Sequence, residues 1–287
     1  VDVTFGGGGH SRLILDKLDN NGRLIGFDQD PDAQANAIDD ERFTLVPQNF
    51  ADLNKGLNDL GVDKVDGILA DLGVSSYQID TPDRGFSYRF DGPLDMRMDT
   101  SRGASAAELV NTATEKELAD ILYQYGDIRA SRKMAAAIVN ARQQQELNST
   151  NDLKAALEPA LPKHNEYKLL SMVFQALRIA VNREMAVLER FLEQTPGVLK
   201  AGGRLVVISY HSLEDRRVKN FMRSGKLSGG LDKDFYGNPI TPWTRVTRKA
   251  VKADAEEQAA NPRSRSAVLR AVERNEQDWA TQTGDAV

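Results

Sequence analysis

The 287-residue chain contains no cysteine, which excludes a disulfide framework and thiolate metal sites. It also lacks any run of the ~18 apolar residues that would span a bilayer. No charged-then-apolar export segment opens it. A cytoplasmic protein with no membrane attachment is therefore expected. Low-complexity tracts and internal repeats are missing as well, and 40% apolar residues suffice for one large domain or a domain with a smaller insert. The first residues, Val1-Asp2-Val3-Thr4-Phe5, already read as a strand, so further residues are expected to precede them.

A net charge of -5 speaks weakly against nucleic acid as a partner, but the charge is unevenly spread. Residues 215–275 hold 14 Lys+Arg against 7 Asp+Glu, or +7, which leaves 23 against 35, or -12, elsewhere. One end of the molecule is thus suited to phosphate, although a basic surface that is merely solvated would give the same count.

Along the chain, 1–5, Arg23–Phe27, Phe43–Val46 and Val65–Leu72 are short apolar runs bounded by turn residues. Between them, Ser11–Leu18, Pro31–Ile38 and Asp52–Leu60 read as crossover helices. That alternation predicts a parallel sheet in an α/β fold. From 104 to 165 the strand signals give way to helical spacing, as in Leu118, Ile121, Leu122 and Tyr125. A long helix is predicted from Glu166 to about Leu192. Ala201-Gly202-Gly203 reads as a turn, Arg204–Tyr210 as a fifth strand, and Ser212–Met222 as a helix capped by Ser212. Residues 224–242 read as a loop, and Trp243–Lys249 and Ser266–Val272 as antiparallel edge strands. The expected organisation is a discontinuous α/β domain over 1–103 and 166–275, a helical insert over 104–165, and a tail over 276–287.

The first strand runs into four glycines, Gly6 to Gly9, followed by His10 and Ser11. Glycines at a strand's carboxyl end let a nucleoside lie against the backbone, where α/β sheets bind their ligands. Asp28 follows the second strand, 19 residues beyond Gly9, about where such sheets place an acid to grip a ribose diol. His10 and Ser11 stand where the last glycine of a dinucleotide fingerprint would fall, which favours S-adenosylmethionine over NAD. Phe50 can stack on adenine or belong to the core. Asp71 stands at the end of the fourth strand, with Ser75, Tyr77 and Gln78 just beyond it, in what is active-site territory in such folds; a turn or cap residue is the alternative for Asp71.

These segments resemble the signature blocks of the ribosomal RNA small-subunit methyltransferase H family. The blocks are Asp2–Ser11, Asp71–Ser76, Arg84–Ser87, Asp91–Asp99, Phe174–Arg178, Ser209–Arg216 and Asn261–Ser266, and together they cover nearly the whole chain. The resemblance implies a Rossmann-like S-adenosylmethionine-dependent methyltransferase fold with a small α-helical insert. It also implies N4-methylation of a cytidine in the decoding region of 16S ribosomal RNA, with the small ribosomal subunit as partner. Carried over by position, cofactor contacts fall on Gly8, Gly9, His10, Asp28, Phe50, Asp71 and Gln78. Relatives have further residues before the first strand, and the segment Asn165–Val173 departs from theirs.

Methyl transfer from a sulfonium to an amine needs donor and acceptor held at ~3–3.5 Å in line, and no metal. The cytosine amine shares its lone pair with the ring, so an N–H acceptor would aid attack. Asp71, helped by Ser75, is the candidate. Tyr77, Phe86 and Tyr88 are candidates to stack on an extruded base; each can equally be a core or loop anchor, and only one of the three is expected to stack. Tyr210-His211-Ser212, at the end of the fifth strand, is expected on the acceptor side, and Arg216, Arg217, Lys219, Arg263 and Arg265 at RNA phosphates; structural salt bridges are the alternative for the arginines. Two rival functions share some of these features, an NAD-dependent oxidoreductase and a non-catalytic RNA-binding ribosome-assembly factor. Monomer and homodimer are both left open.

Overall fold

In the computed structural model, which describes residues 1–162 and 164–276, the early apolar runs form parallel strands. These are β1 Leu24–Phe27, β2 Phe43–Val46 and β3 Val65–Asp71. Segment 1–5 lies between β1 and β3. Asp2 N–H donates to Ile25 O and Val3 N–H to Leu69 O, each at 2.9 Å, and Phe5 N–H donates to Phe27 O at 3.0 Å. β4 Leu199–Ser209 pairs parallel with β3. A small hairpin follows, β5 Asp232–Lys233 and β6 Pro239–Ile240, then β7 Trp243–Arg245, β8 Val251–Lys252 and β9 Val268–Arg274.

β9 runs antiparallel between β4 and β7. With segment 1–5 counted first, the sheet order is β2, β1, segment 1–5, β3, β4, β9, β7. This is the doubly wound order with one antiparallel strand inserted before the last, and its order reverses between segment 1–5 and β3. The carboxyl ends of those two strands therefore frame the ligand crevice.

The helices are α1 Gly9–Leu15, α2 Leu53–Asp59, α3 Ser76–Asp80, α4 Ala106–Thr112, α5 Glu115–Gly126, α6 Ser131–Arg142, α7 Thr150–Leu157, α8 Glu166–Val181, α9 Glu184–Val198, α10 Ser212–Ser224 and α11 Ala255–Ala260. The chain divides into two compact units, one of residues 1–73 and 185 onward, the other Val74–Glu184. The first unit buries Phe27, Ile68, Leu205 and Val207 from the sheet with Phe191, Leu192 and Phe221 from α9 and α10. Each such ring contributes about 2–3 kcal/mol by leaving water. The second unit has its own core, with Leu118, Leu122, Met134, Ile138, Leu153, Val173 and Leu177 on facing helices. Segment 104–165 lies within this unit, whose borders are wider. Apart from Glu276, the expected tail 276–287 lies outside the described residues.

Several local expectations are corrected. The helix from Glu166 breaks at Asn182–Arg183, where Arg183 takes φ 50°. Asn182 is the C-cap, its backbone N–H closing the last turn onto Arg178 O at 3.0 Å, while its side chain serves a distant loop: its amide donates to Met96 O at 2.7 Å and its oxygen accepts from Met98 N–H at 2.7 Å. Ala201-Gly202-Gly203 is no separate turn but an irregular part of β4, taken up by a register shift opposite 65–67. Segment 31–36 is a 3-10 helix. His211, not Ser212, occupies the N-cap of α10. The strand read as an edge at 266–272 is interior, because β7 and β8 cover its outer side. Among the described residues no helix is long and apolar enough to cross a membrane.

Candidate active site

The glycine loop turns because Gly6 and Gly8 take φ 51° and 74°, a region open to glycine at little cost. Gly8 is also tightly placed, since a Cβ there would stand 3.0 Å from the Phe5 ring and 2.7 Å from Arg12 Nη1. Gly7 and Gly9 face open space, leaving a bare backbone shelf at the start of α1. Asp28, just past β1, reaches back to this shelf. Its Oδ2 accepts from Gly6 N–H at 2.7 Å and its Oδ1 from Asp30 N–H at 2.8 Å. Burial raises the Asp28 pKa, opposed by those two backbone donors. Phe50 is half-buried, edge-on to Phe191 at 5.3 Å, and so belongs to the core margin.

Asp71 ends β3 at the switch point, with its side chain 26% exposed. His10 Nε2 lies 3.1 Å from Oδ2, and the Tyr210 hydroxyl, at the end of β4, donates to Oδ1 at 2.8 Å. A carboxylate partner makes Nε2 the protonated nitrogen. Behind them, Thr4 Oγ1 accepts from Asp71 N–H at 2.7 Å, and buried Asp2 accepts from Thr4 N–H at 3.1 Å and from the Ser11 hydroxyl at 2.7 Å. The loop and the acid are thereby fixed by one network. Thr4 and Asp2 were not among the expected site residues, and Tyr210, expected on the acceptor side, was not expected to hold Asp71. The available signal was a polar pair at alternate positions of an apolar strand, Asp2 and Thr4, which puts both on one side.

The hydrogen bond to Asp71 is the main reason the His10 pKa is raised, against a smaller desolvation effect. His10 accordingly adds stability that is complete below its unfolded pKa of ~6.5 and fades as pH rises through the raised folded value. NMR titration is expected to place His10 above that reference value and to bring it back down in Asp71→Ala; an unmoved midpoint in the variant would refute the coupling. For Tyr210, burial and then the charge of Asp71 push the phenol far above its ordinary range. It remains a neutral donor.

The other expected residues divide by what holds them. In the second unit, Ser75 is the N-cap of α3, its hydroxyl accepting from Gln78 N–H at 3.1 Å while Gln78 Oε1 accepts from Ser75 N–H at 3.0 Å. Ser75 thus has a capping role that accounts for its hydroxyl. Phe86 is buried in that unit's core, beneath the Arg84 guanidinium at 5.8 Å, the core placement that was the alternative to base stacking. Tyr88 packs on Tyr167 and Phe174. Tyr77 is 55% exposed. In the first unit, His211 Nε2 stands 3.1 Å from the buried Glu214 carboxylate. Glu214 also accepts from Tyr210 N–H at 2.9 Å, so it anchors the turn into α10. Arg217 is tied to Glu189 at 2.5 Å, the structural alternative. Arg216, Lys219, Arg263 and Arg265 are exposed.

A sheet of this order, with its switch point flanked by a glycine shelf and by an acid held from two strands, is that of a Rossmann-like methyltransferase. Residues 1–275 match the MraW methylase family, and the chain belongs to that family. Among curated relatives, a protein of Bacteroides fragilis (strain YCH46) is 52% identical over 274 residues, covering 96% of this chain and 90% of its own. One from Cytophaga hutchinsonii is 52% identical over 276 residues, covering 96% and 92%. One from Flavobacterium johnsoniae is 49% identical over 274 residues, covering 96% and 90%. All three carry the name ribosomal RNA small subunit methyltransferase H. Neither the oxidoreductase nor the non-catalytic reading finds support in these matches.

Proposed function

We propose that this protein transfers the methyl group of S-adenosylmethionine to N4 of a cytidine in 16S ribosomal RNA, acting on the small ribosomal subunit. The observation that carries the reading is the placement of Asp71, a partly exposed carboxylate held between His10 and Tyr210 beside the glycine shelf. The relatives' names supply the class of acceptor.

The first unit suits the cofactor. The shelf at Gly7–Gly9 has the open backbone that a nucleoside needs, and Asp28, whose two oxygens each retain a free lone pair, can accept from a ribose diol. Gly8, Gly9, His10, Asp28 and Phe50 would hold it, with Gln78 assigned from the family resemblance. When bound, the cofactor supplies an electrophilic methyl on a sulfonium. Asp28→Ala is expected to weaken S-adenosylmethionine binding by about 10- to 100-fold, the worth of a charged hydrogen-bonding group, as read by calorimetry. An unchanged affinity would remove Asp28 from the site.

Asp71 then acts as acceptor for an N–H of the target amine. Each of its oxygens already takes one bond and has room for another, so it can draw on the amine as the nitrogen lone pair engages, and take the proton that the product must lose. Tyr210 and His10 fix the carboxylate's plane. Exposed Arg216, Lys219 and Arg265 supply positive charge for phosphates. The reading is tested by transfer of labelled methyl from S-adenosylmethionine to small ribosomal subunits from cells lacking the modification, followed by nucleoside digestion. Label in N4-methylcytidine is expected; label in another nucleoside, or none, would overturn it.

A further inference from the structure

The hairpin of β5 and β6 presents two aromatic side chains to solvent, outside both cores of the described residues. Phe235 is 97% exposed and Tyr236 85%, and their rings meet edge to face, centroids 5.5 Å apart at 87°. A turn needs neither ring; Asp, Gly and Asn supply its chemistry. The turn is also locked from within. Asp234 Oδ1 accepts from Tyr236 N–H at 2.9 Å and from Asn238 N–H at 2.8 Å, and its Oδ2 from the Asn238 amide at 2.9 Å. Asp234 N–H donates to Asn238 O at 2.9 Å. Two large rings on a tip that is already ordered lose little entropy when something stacks on them.

The surroundings favour a polyanion. Residues 216–252 contain 10 Lys+Arg and 2 Asp+Glu. Of those two acids, Asp234 is committed to the turn and Asp232 is paired with Lys226. Lys233, Arg245, Arg248, Lys249 and Lys252 are exposed. β7 and β8 both pair with β9 on the side away from β4, which sets Arg245 and Lys252 along the outer edge of the sheet. Aromatic faces interleaved with cations are the means by which proteins hold unpaired nucleotides without reading their sequence.

We propose that Phe235 and Tyr236 form a stacking finger for unpaired bases of the RNA substrate, with the cations of 233–252 following its phosphates. This rests on the reading that the substrate is RNA. The test compares the wild-type protein with the double variant Phe235→Ala/Tyr236→Ala and with the ring-keeping double variant Phe235→Tyr/Tyr236→Phe. Methyl transfer to unmodified small ribosomal subunits is followed, together with binding of a short mixed-sequence oligoribonucleotide, single-stranded or annealed to its complement.

Removing both rings is expected to raise KM for the subunit and Kd for the single strand by roughly tenfold or more. The ring-keeping variant should match wild type, and kcat, S-adenosylmethionine affinity and thermal midpoint should hold in both. Unchanged KM and Kd in the alanine variant would overturn the finger while wild-type transfer to RNA still upheld the proposed function. No wild-type transfer would instead strike the function itself. Loss of subunit binding with full retention of single-strand binding would assign the rings to a protein contact. Dissociation of a wild-type dimer in the alanine variant, seen by sedimentation, would assign them to a second copy of the chain; both results reject the proposal.

Discussion

Asp71→Asn is expected to lower kcat for methyl transfer by about 10²–10⁴-fold, the contribution of a positioned acid–base group, with a much smaller change in S-adenosylmethionine affinity. The amide has the shape of the carboxylate but not its acceptors. Whichever way it turns, its NH2 must face either His10 Nε2 or the Tyr210 hydroxyl, each of which now donates to an oxygen 3.1 or 2.8 Å away. One of these donors must reverse its role or lose its bond, and the charge that would draw a proton from the amine is gone. Because the backbone N–H of Asp71 is held by Thr4 at 2.7 Å, the strand end itself should not shift. The loss therefore belongs in kcat rather than in folding. Single-turnover rates with calorimetric cofactor affinities separate the two. A kcat within tenfold of wild type would show that Asp71 does not handle the proton, and would return it to cofactor binding alone.

Much of the sheet was legible because strands announce themselves locally. Leu24–Phe27, Phe43–Val46 and Val65–Asp71 are apolar runs between turn residues, and their alternation with helical spacing sets the parallel order. The glycine shelf and Asp28 were legible for the same reason: their chemistry is contained in a few consecutive residues. What escaped depends on partners far away in the chain. The stop at Asn182 goes with side-chain bonds to Met96 and Met98, and no spacing within 166–192 encodes those partners. Tyr210 was expected on the acceptor side, but its bond to Asp71 exists only once β4 lies beside β3. Aromatics stay ambiguous in both directions, since composition does not tell a buried ring from a bare one. Phe86 sits in the core, whereas Phe235 and Tyr236 stand open in a stretch that read as a plain Gly/Asp/Pro loop.

The same long-range logic recasts two of the segments that resemble family signatures. Arg84–Ser87 and Asp91–Asp99 fold against one another within the second unit. Arg84 donates to Arg97 O at 2.9 Å, Met96 N–H donates to Arg84 O at 3.0 Å, and Asp95 clasps Arg97 through two bonds of 2.9 and 2.7 Å. Leu94 and Met96 point into the core. The arrangement accounts for an arginine, a glycine and a run of alternating acids and apolar residues as parts of one strap.

Gly85 is where that strap is least forgiving. It takes φ 71°, and a Cβ added there would lie 2.3 Å from Pro93 O and 2.8 Å from Asp95 N. Those neighbours are backbone and cannot rotate away. Gly85→Ala is expected to destabilise the protein by about 3–5 kcal/mol, the left-handed conformation costing ~1–2 and the forced displacement of packed chain most of the rest. The unfolding midpoint should fall by roughly 10 °C. Gly103 isolates the first contribution, for it has φ 81° with nothing within 4 Å of an added Cβ. Gly103→Ala should therefore cost only about 1–2 kcal/mol. Thermal melts of the two variants side by side decide the point: equal losses would mean that the strap yields, and that the close approach of 85 to 93–95 contributes nothing to holding it in place.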